Sequence, residues 1–313
     1  MKTVNIVMIS DDRYVFPTSV AMTSIAKNAD TSVSYVLYLL CDNVSETNKK
    51  KLEHINSANC KIVFVDVDSS QYKNLEKSYS RVSSASLMKF NIATELADID
   101  KALYLDGDVI VKSDLLELYS TELGENYAAV VKDGPKQFVP GGKQHSYYGS
   151  PDYFNSGVML LNLRKMREDN IPQKLKDFRL NEYNYFMDQD AFNRVLGKKV
   201  LYVGVEYDFL LHLISYQNTE LSIKQLVDFY NLREYRNYDE LFSNVCIFHY
   251  TFGKPWKYYD VPFNEVWIEY YKQSPFKDKQ LERVSIMTQM YNTKTYRFSR
   301  VLSAIVRKIL FIK

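Results

Sequence analysis

The sequence has few cysteines and no paired cysteine motif. Its 313 residues include only three, Cys41, Cys60 and Cys246, and no two of them form a Cys-x-x-Cys pair. An odd, widely spaced set argues against a disulfide framework and against a structural zinc site. The sequence therefore predicts a protein of a reducing compartment.

A long apolar run, a targeting segment and an excess of charge are also missing. No apolar run reaches the length of a membrane span, and Met1–Val7 leads into a predicted strand without an apolar signal region or a small-residue cleavage site. Forty Lys and Arg residues against 38 Asp and Glu residues leave no overall charge that would favour nucleic acid. We therefore expect a cytoplasmic protein that does not bind nucleic acid.

Aromatic residues, in contrast, are abundant. The chain has 26 tyrosines and 17 phenylalanines, and a hydrophobic content of 46% is enough for a sizeable core. Ordinary core packing accounts for most of them. Exposed tyrosines would also suit a sugar-binding protein, because an aromatic face stacks on the C–H surface of a hexose while the phenol bonds its hydroxyls.

Short β-branched runs alternate with amphipathic stretches in the first third of the chain. The pattern predicts strands over residues 4–9, 35–40, 61–67 and 101–105 and helices over residues 15–27, 45–55 and 87–96. This alternation predicts an α/β fold with a mostly parallel sheet covered by helices, and Ser45 is the predicted N-cap of the second helix. Residues 134–151, rich in Gly, Pro, Lys, Tyr and Ser, predict a long surface loop or lid.

Two aspartates follow the strand predicted at residues 101–105. Asp106 and Asp108 flank Gly107, and carboxylates at this spacing turn into one pocket if the strand breaks between them, as a glycine permits. Ligands of open α/β sheets bind at the carboxyl ends of strands. Carboxylate oxygens suit Mn²⁺ or Mg²⁺, and such an ion would neutralise the phosphates of a nucleotide diphosphate leaving group.

The Asp-Gly-Asp motif also occurs in two different settings. Many surface turns contain it without a ligand. It also resembles the first motif of aspartyl-phosphate phosphatases, in which Asp106 would be the nucleophile and Asp108 the general acid. That class carries the motif on its first strand, whereas here the motif follows the fourth predicted strand. The phosphatase is therefore the weaker alternative.

A second group of polar residues follows the apolar run Val245–Phe248. This run delivers His249 to a predicted strand end, and Gly253 and Lys254 follow in a turn before Pro255. A neutral imidazole is a common metal ligand, a lysine meets phosphate as a point charge, and a glycine allows close backbone approach. His249 is therefore a candidate third metal ligand, although a lone histidine is more often structural.

The last part of the chain is basic and amphipathic. From Arg283 to Lys313 it has seven Lys or Arg residues and no Asp or Glu. Its apolar residues share one face of a helix: Phe298, Val301, Leu302, Ile305, Val306, Ile309 and Leu310. We expect residues 283–313 to form a helix that lies on an anionic membrane, separate from a catalytic domain over residues 1–275. Packing of the apolar face on that domain is the alternative.

Four motifs occur in an order that resembles glycosyltransferase family 8. They are the Leu103–Leu105 strand with its aspartates, Tyr153–Val158, Met187–Asp190 and His249–Trp256. The family includes bacterial lipopolysaccharide galactosyl- and glucosyltransferases and glycogenin. The resemblance implies a GT-A fold with a Rossmann-like sheet, and an enzyme that retains the anomeric configuration of the transferred sugar. The basic tail is also similar to the membrane-docking tail of the bacterial members.

The resemblance further implies a metal site and a UDP site. Asp106, Asp108 and His249 match the family's metal ligands. The UDP-binding positions match Ser10, Asp11, Tyr14, Gly253 and Lys254. Asp11 would bond the uracil edge and Tyr14 would stack on its face, whereas the residues alone fit a helix N-terminus with acids in its first turn. The spacing from His249 to Lys254 is one residue shorter than in the commonest members, so the turn must close differently.

The resemblance assigns the donor sugar and the reaction in the same way. The positions that hold the donor hexose match Lys89, Asn155, Asp188 and Gln189, and Lys89 stands where the family usually has an arginine. The catalytic candidates are Gln189, Asp188 and Asp190. Because glutamine is a poor nucleophile, a front-face reaction is favoured, with Asp190 the lower-ranked carboxylate for covalent catalysis. From the residues alone, Asp188 also fits a helix N-cap and Asn155 a turn.

Together these features predict a retaining transferase that moves galactose or glucose from a UDP-sugar to a saccharide of a cell-surface glycan or glycoconjugate, lipid-linked or protein-linked. Mn²⁺ or Mg²⁺ is the expected cofactor, and the inner face of the cell membrane is the expected location. The resemblance also implies that Asp133 contacts the acceptor, because it matches an acceptor-side position of the family. A phosphatase that uses Asp106 is one alternative. A non-catalytic carbohydrate-binding module on the same fold is the other.

Overall fold

The computed structural model describes residues 2–75, 84–134, 152–182, 186, 188–214, 222–230 and 235–292. The predicted lid, apart from Gly134, and most of the predicted basic tail lie outside the described residues. Among the residues that the structure describes, none of the helices combines the length and apolar character needed to cross a membrane.

The first three strands form the predicted parallel unit. Strand β1 (Thr3–Asp11) is followed by helix α1 (Val15–Asn28), β2 (Ser34–Asp42), α2 (Glu46–Leu52), a 3₁₀ turn (Glu53–Ile55) and β3 (Cys60–Asp66). Strand β2 pairs in parallel with β1 and with β3. The alternation of apolar runs predicted all three strands to within two residues at each end, although β3, at the edge of the sheet, is only partly buried.

Ser45 caps α2, as predicted. Its side chain accepts a hydrogen bond from the backbone nitrogen of Asn48 at 3.4 Å. Asp12, from the loop after β1, supports the same helix start, because its Oδ1 accepts from the backbone nitrogen of Ser45 and from Asn48 Nδ2, each at 2.8 Å. The end of β1 and the start of α2 are therefore joined by side-chain hydrogen bonds.

The continuous helix predicted over residues 87–96 is wrong. The chain forms a short helix α3 (Ser84–Leu87), a 3₁₀ turn (Met88–Asn91) and a short helix α4 (Ile92–Glu95). All four residues of the 3₁₀ turn are buried, including Lys89, whose ammonium reaches two carboxylates. Burial and ion pairing of the turn thus override the helical pattern.

The rest of the chain supplies the remaining strands and helices. The strands are β4 (Lys101–Leu105), β5 (Val109–Val111), β6 (Ala128–Lys132), β7 (Phe154–Asn162), β8 (Val200–Tyr202), β9 (Phe209–Leu210) and β10 (Ile247–His249). The helices are α5 (Leu116–Tyr119), α6 (Leu163–Glu168), α7 (Ile171–Asn181), α8 (Asp188–Leu196), α9 (Ile223–Tyr230), α10 (Tyr238–Asn244), α11 (Asn264–Tyr271) and α12 (Ile286–Asn292).

The described strands form two sheets. The large sheet has the order β3-β2-β1-β4-β7-β6-β8, and β7 runs antiparallel to both β4 and β6. The small sheet has the order β5-β10-β9. The chain passes from the large sheet to the small one at Asp106–Asp108, so these aspartates lie where the two sheets meet.

Apolar side chains cover both faces of the large sheet. Ile6 and Met8 of β1 pack in the core that includes α1 and α11, whereas Val7 and Ile9 of the same strand pack in the core that includes α6, α7 and α8. This alternation follows from the two-residue period of a strand. The sheet is therefore a central layer with an apolar core on each face.

Candidate active site

Asp106, Asp108 and His249 come together at the junction of the two sheets. One ligand atom from each lies within 4.8 Å of the other two. His249 Nε2 is 3.9 Å from Asp106 Oδ2 and 3.4 Å from Asp108 Oδ1. Asp108 and His249 are buried, while Asp106 is partly exposed. The structure thus assembles the three residues that the sequence grouped as candidate metal ligands.

Strand pairing fixes this arrangement. His249 is the last residue of β10 and lies opposite Val109 of β5, so it is next to Asp108. The backbone nitrogen of Tyr250 donates to the carbonyl oxygen of Asp108 at 3.0 Å, which extends the pairing by one step. On the other side, the backbone nitrogen of Asp106 donates to the carbonyl oxygen of Gly157 at 2.8 Å. Backbone hydrogen bonds to neighbouring strands therefore fix the positions of all three residues.

Two glycines allow close packing around the group. A β-carbon on Gly157 would lie 2.3 Å from His249 Cε1 and 2.7 Å from Asp106 Oδ2. A β-carbon on Gly107 would lie 2.5 Å from Thr18 Oγ1 and 3.1 Å from the Tyr14 ring. Gly107 does not have a positive φ. It is therefore required for contact with α1 and not for a left-handed backbone conformation.

A further carboxylate, that of Asp208, contacts the other ring nitrogen of His249. Asp208 Oδ1 lies 2.9 Å from His249 Nδ1, on the opposite side of the ring from Asp106 and Asp108. Burial alone would lower the pKa of His249, but Asp208 and Asp108 together raise it to about 10. At neutral pH the imidazole is therefore protonated on both nitrogens and positively charged when no cation is bound.

Two lysines flank the aspartates. Lys254 pairs with the Asp108 carboxylate and donates to the carbonyl oxygen of Tyr250 at 2.7 Å. Lys89 Nζ lies 3.0 Å from Asp106 Oδ1 and 2.8 Å from Asp188 Oδ2. Burial alone would raise the pKa of Asp108, but Lys254 and His249 hold it well below its usual range. Asp108 is therefore ionised, and positive groups already face both aspartates.

Lys89 is fully enclosed. Burial alone would lower its pKa, but Asp106 and Asp188 raise that pKa well above its usual value, so Lys89 stays charged. Its ammonium also lies 4.8 Å from the centre of the Tyr104 ring. The Tyr104 hydroxyl in turn donates to Asp106 Oδ1 at 2.5 Å. Lys89 and Tyr104 together hold one oxygen of Asp106, and Oδ2 is the oxygen that faces His249.

Asn155 and Gln189 form a second polar group beside the first. Gln189 Oε1 accepts from Asn155 Nδ2 at 3.0 Å and from the backbone nitrogen of Ser156 at 3.2 Å. Asn155 Nδ2 also donates to Asp133 Oδ1 at 3.1 Å. Asn155 lies in strand β7, so its alternative assignment to a turn is wrong. These contacts connect the predicted donor-sugar residues to Asp133, the predicted acceptor contact.

Asp188 and Asp190 open helix α8 but differ in their partners. Asp188 Oδ2 accepts from Lys89 Nζ at 2.8 Å and from Ser156 Oγ at 3.1 Å, so it faces the site. Asp190 Oδ1 accepts from the Tyr153 hydroxyl at 2.6 Å, and its Oδ2 accepts from the backbone nitrogen of Phe186 at 2.8 Å. Both oxygens of Asp190 are therefore engaged in fastening the start of α8.

The predicted uridine residues line the end of β1. Asp11 Oδ1 accepts from the backbone nitrogens of Arg13 and Tyr14, at 3.0 and 2.7 Å. Ser10 is buried, and its hydroxyl donates to the carbonyl oxygen of Asp11 at 2.9 Å. The Tyr14 ring lies edge-on to Trp256 at 5.6 Å. Asp11 thus orders the turn before α1, as expected of an acid at a helix N-terminus, and Tyr14 lies between that turn and the aspartates.

Gly253 packs against apolar side chains of the segment that follows it. A β-carbon there would be 2.3 Å from Val261 Cγ1 and 3.1 Å from Ile286 Cδ1. The missing side chain thus allows this turn to pack against the apolar residues that follow it. Contact between its backbone and phosphate stays a prediction.

Comparison with known proteins assigns the family. Residues 5–260 match the sequence model described as Glycosyl transferase family 8. The chain belongs to glycosyl transferase family 8. The matched range contains all four motifs that suggested the resemblance and ends before the predicted basic tail.

Relatives named as glycosyltransferases agree with this assignment. A Haemophilus influenzae protein that carries a glycosyltransferase assignment is 31% identical over 217 residues, which are 66% of this chain and 64% of that protein. This chain therefore matches less than two thirds of that relative's length. Lipopolysaccharide 1,2-glucosyltransferase of Escherichia coli is 28% identical over 285 residues, which are 86% of this chain and 77% of that protein.

A solved structure confirms the architecture. The galactosyltransferase LgtC, solved in complex with donor and acceptor sugar analogues, superposes with a TM-score of 0.67 at 24% identity, over 88% of this chain and 100% of that chain. The central seven-stranded sheet is the GT-A fold of that protein. The predicted α/β class and GT-A fold of this family 8 chain are confirmed.

Three residues of the site escaped the sequence analysis of this family 8 chain. Gly157 had a visible signal, because a glycine inside an apolar strand often marks a close backbone approach. Tyr104 was indistinguishable from the other buried residues of β4. Asp208 lies 41 residues before His249 in the sequence, and only the parallel pairing of β9 with β10 brings the two together.

Proposed function

We propose that this chain is a retaining hexosyltransferase that moves galactose or glucose from a UDP-sugar to a saccharide acceptor, with Mn²⁺ or Mg²⁺ held by Asp106, Asp108 and His249. The observation that carries the proposal is the convergence of those three ligand atoms within 4.8 Å at the carboxyl end of β4. Two carboxylate oxygens and one imidazole nitrogen form a donor set that suits Mn²⁺, and the open side at Asp106 leaves room for substrate oxygens.

The bound cation would supply charge neutralisation for the departing diphosphate. Lys254 would add to it, because its ammonium already reaches Asp108 and is partly exposed, so it can turn to a phosphate oxygen. Lys89 would hold Asp106 in place, and with Asp188 it would form the floor under the donor sugar. Tyr14, at the end of β1, would meet the uracil.

The contacts of Gln189 favour a front-face reaction. Its amide oxygen already accepts two hydrogen bonds, one from Asn155 and one from the backbone of Ser156. Attack by that oxygen on the anomeric carbon would weaken both bonds, and an amide oxygen is a poor nucleophile. The acceptor hydroxyl would therefore approach from the side of the leaving diphosphate, which takes its proton. Gln189 and Asp188 would orient the sugar, and Asp133 would contact the acceptor.

We further propose that the acceptor belongs to a cell-surface glycan or glycoconjugate and that the chain works in the cytoplasm at the inner face of the membrane. The basic, amphipathic character of residues 283–313 supports this location. The lipopolysaccharide glucosyltransferase among its relatives supports the acceptor class.

The deciding experiment is donor hydrolysis by the purified chain. UDP-glucose, UDP-galactose and their N-acetyl forms are compared with Mn²⁺ and with EDTA, and release of UDP is measured. We expect metal-dependent release from one hexose donor, and a loss of about 100-fold or more in Asp106→Asn and Asp108→Asn. Asp98→Asn, which changes an exposed carboxylate on another surface, is the matched control.

Two results would contradict the proposal. Release that is unchanged in EDTA and in both aspartate variants would exclude the metal site. If no donor is hydrolysed, a UDP titration with Mn²⁺ separates a missing acceptor from a wrong assignment, because a chain that binds no UDP cannot use such a donor. A stable beryllofluoride adduct on Asp106 would instead support the phosphatase.

A further inference from the structure

Asp208 is a buried carboxylate that the proposed reaction does not use. It follows a 3₁₀ turn (Val205–Tyr207) and precedes β9, and its side chain is fully enclosed, with 0% exposure. Its Oδ1 lies 2.9 Å from His249 Nδ1. Its Oδ2 has no hydrogen-bond partner among the described residues. A buried carboxylate oxygen without a partner is costly, so a reason for the charge must lie elsewhere.

Packing around residue 208 does not explain why it is an aspartate. An asparagine would fit the same volume and would accept the same hydrogen bond from Nδ1 through its amide oxygen. The carboxylate adds negative charge in a region that already contains Asp106 and Asp133, which act on Asp208 by repulsion. An ionised carboxylate at Asp208 is favourable only if His249, or a cation bound to it, carries positive charge.

The geometry of the ring shows where that positive charge acts. With Nδ1 donating to Asp208, the other nitrogen, Nε2, faces Asp108 Oδ1 at 3.4 Å and Asp106 Oδ2 at 3.9 Å. A histidine that binds a cation through one nitrogen commonly donates through the other to a carboxylate, which sets the tautomer and the ring orientation and raises the basicity of the binding nitrogen.

We propose that Asp208 is a positioning residue of the metal site: it holds the Nδ1–H tautomer and the ring orientation of His249, and its buried charge strengthens cation binding at Nε2. The inference rests on the metal site of the proposed function. It adds to that site a residue that contacts neither the cation nor the substrate and acts only through His249.

The test measures Mn²⁺ binding by the full chain without any substrate. Free Mn²⁺ is titrated by electron paramagnetic resonance in the wild type, Asp208→Asn and Asp208→Ala, and pulsed measurements record the coupling of the bound ion to imidazole nitrogen. We expect affinity about 10-fold weaker in Asp208→Asn and about 100-fold weaker in Asp208→Ala. Nitrogen coupling is kept in the asparagine variant, because the hydrogen bond survives, and is weakened in the alanine variant.

A matched control separates positioning from general destabilisation. The hydroxyl of Ser24, on helix α1, is buried and accepts from the backbone nitrogen of Val111 in the small sheet. Ser24→Ala removes this hydroxyl, which lies away from the aspartates. We expect it to lower the melting temperature and to leave Mn²⁺ affinity unchanged. If Asp208→Ala does not fold, Asp208→Asn decides alone, because it keeps shape and hydrogen bond and removes only the charge.

The outcomes for Asp208 and for the metal site can be told apart. A wild-type chain that binds Mn²⁺ with nitrogen coupling, together with an Asp208→Asn variant of unchanged affinity, overturns the role of the charge at Asp208 and leaves the metal site intact. A wild-type chain that binds no Mn²⁺, or binds it without nitrogen coupling, overturns the metal site itself.

Discussion

The α-carbon of Gly157 packs against the imidazole of His249 so closely that a β-carbon on Gly157 would lie 2.3 Å from Cε1. The same β-carbon would lie 2.7 Å from Asp106 Oδ2. Strand β7 therefore forms the wall of the metal site, and only glycine fits at this position of the wall.

Gly157→Ala should damage the site and the fold together. The added methyl group must push His249 or strand β7 aside, and overpacking of this kind costs about 1–3 kcal/mol of unfolding free energy. We expect that loss in chemical denaturation and a clear loss of Mn²⁺ affinity in a titration. Gly204→Ala is the control, because the three atoms nearest to its β-carbon all belong to the side-chain carboxylate of Glu206 and none to the metal site. Unchanged Mn²⁺ affinity in Gly157→Ala would show that β7 can shift to accept the methyl group without disturbing the metal site.

Replacement of Lys89 by methionine should destabilise the protein strongly. Lys89 is 5% exposed and lies between Asp106 and Asp188, so Lys89→Met leaves two carboxylates without their shared cation. Breaking such a buried pair costs about 3–5 kcal/mol, to be measured by urea denaturation. Lys165→Met removes a lysine that pairs with Glu125 and Asp169 at the surface, and should change the urea midpoint little. Equal effects in both variants would contradict this account of Lys89.

Asp190 should prove structural and not a covalent nucleophile. Tyr153→Phe removes one of its hydrogen bonds and should lower the free energy of unfolding by about 1 kcal/mol. Asp190→Asn should also destabilise the start of α8, yet keep measurable transfer at saturating donor. A folded Asp190→Asn variant without any transfer, beside an active Tyr153→Phe variant, would instead identify Asp190 as the nucleophile.

Asp260 should make the attachment of α12 sensitive to acid. Its carboxylate accepts from the Ser285 hydroxyl and from the backbone nitrogen of Ile286, both at 2.6 Å. Burial alone would raise the pKa of Asp260, but these hydrogen bonds lower it. A lowered pKa adds stability above the unfolded value of about 3.9, and this stability is lost as the pH falls through the folded value.

The measurement for Asp260 is a series of thermal unfolding curves between pH 6 and pH 3. We expect the melting temperature of the wild type to fall more steeply than that of Asp260→Asn, whose amide does not titrate. Parallel curves for the two proteins would show that the carboxylate contributes no acid-labile stability.

The basic tail should bind anionic membranes. The prediction concerns residues beyond Asn292 and rests on the sequence: changing four cations of the tail to serine should reduce sedimentation with anionic liposomes, namely Arg297, Arg300, Arg307 and Lys308. The control removes four exposed lysines elsewhere, namely Lys27, Lys50, Lys61 and Lys198. Equal binding by the tail variant and the wild type would favour packing of the tail on the domain.

Local patterns in the sequence were sufficient for the first half of the large sheet and for two of the site's elements. The strands around Val4, Tyr35 and Lys61 are read from runs rich in apolar and β-branched residues, because each run is long enough to form a strand of the sheet. Ser45 was read from capping chemistry, which involves neighbours only. Asp106 and His249 were read from their positions at the ends of apolar runs.

The helix over residues 87–96 failed for the opposite reason. Its pattern favours a helix, but Lys89 must reach Asp106 and Asp188, which are 17 and 99 residues away in the chain. No local stretch of the sequence shows that Lys89 must contact these two aspartates. The break at Met88–Asn91 is therefore set by tertiary contacts.

The sequence by itself determined the family, the parallel βαβ pattern of the first strands and the types of residue available for metal, phosphate and sugar, because these depend on local periodicity and on motif order. Only the tertiary structure decided that Gly157 closes the wall beside His249, that Asp190 fastens a helix, and that Asp208 stands behind the imidazole. Those relations depend on which strands become neighbours, and that is fixed by the packing of the two sheets and not by any single segment.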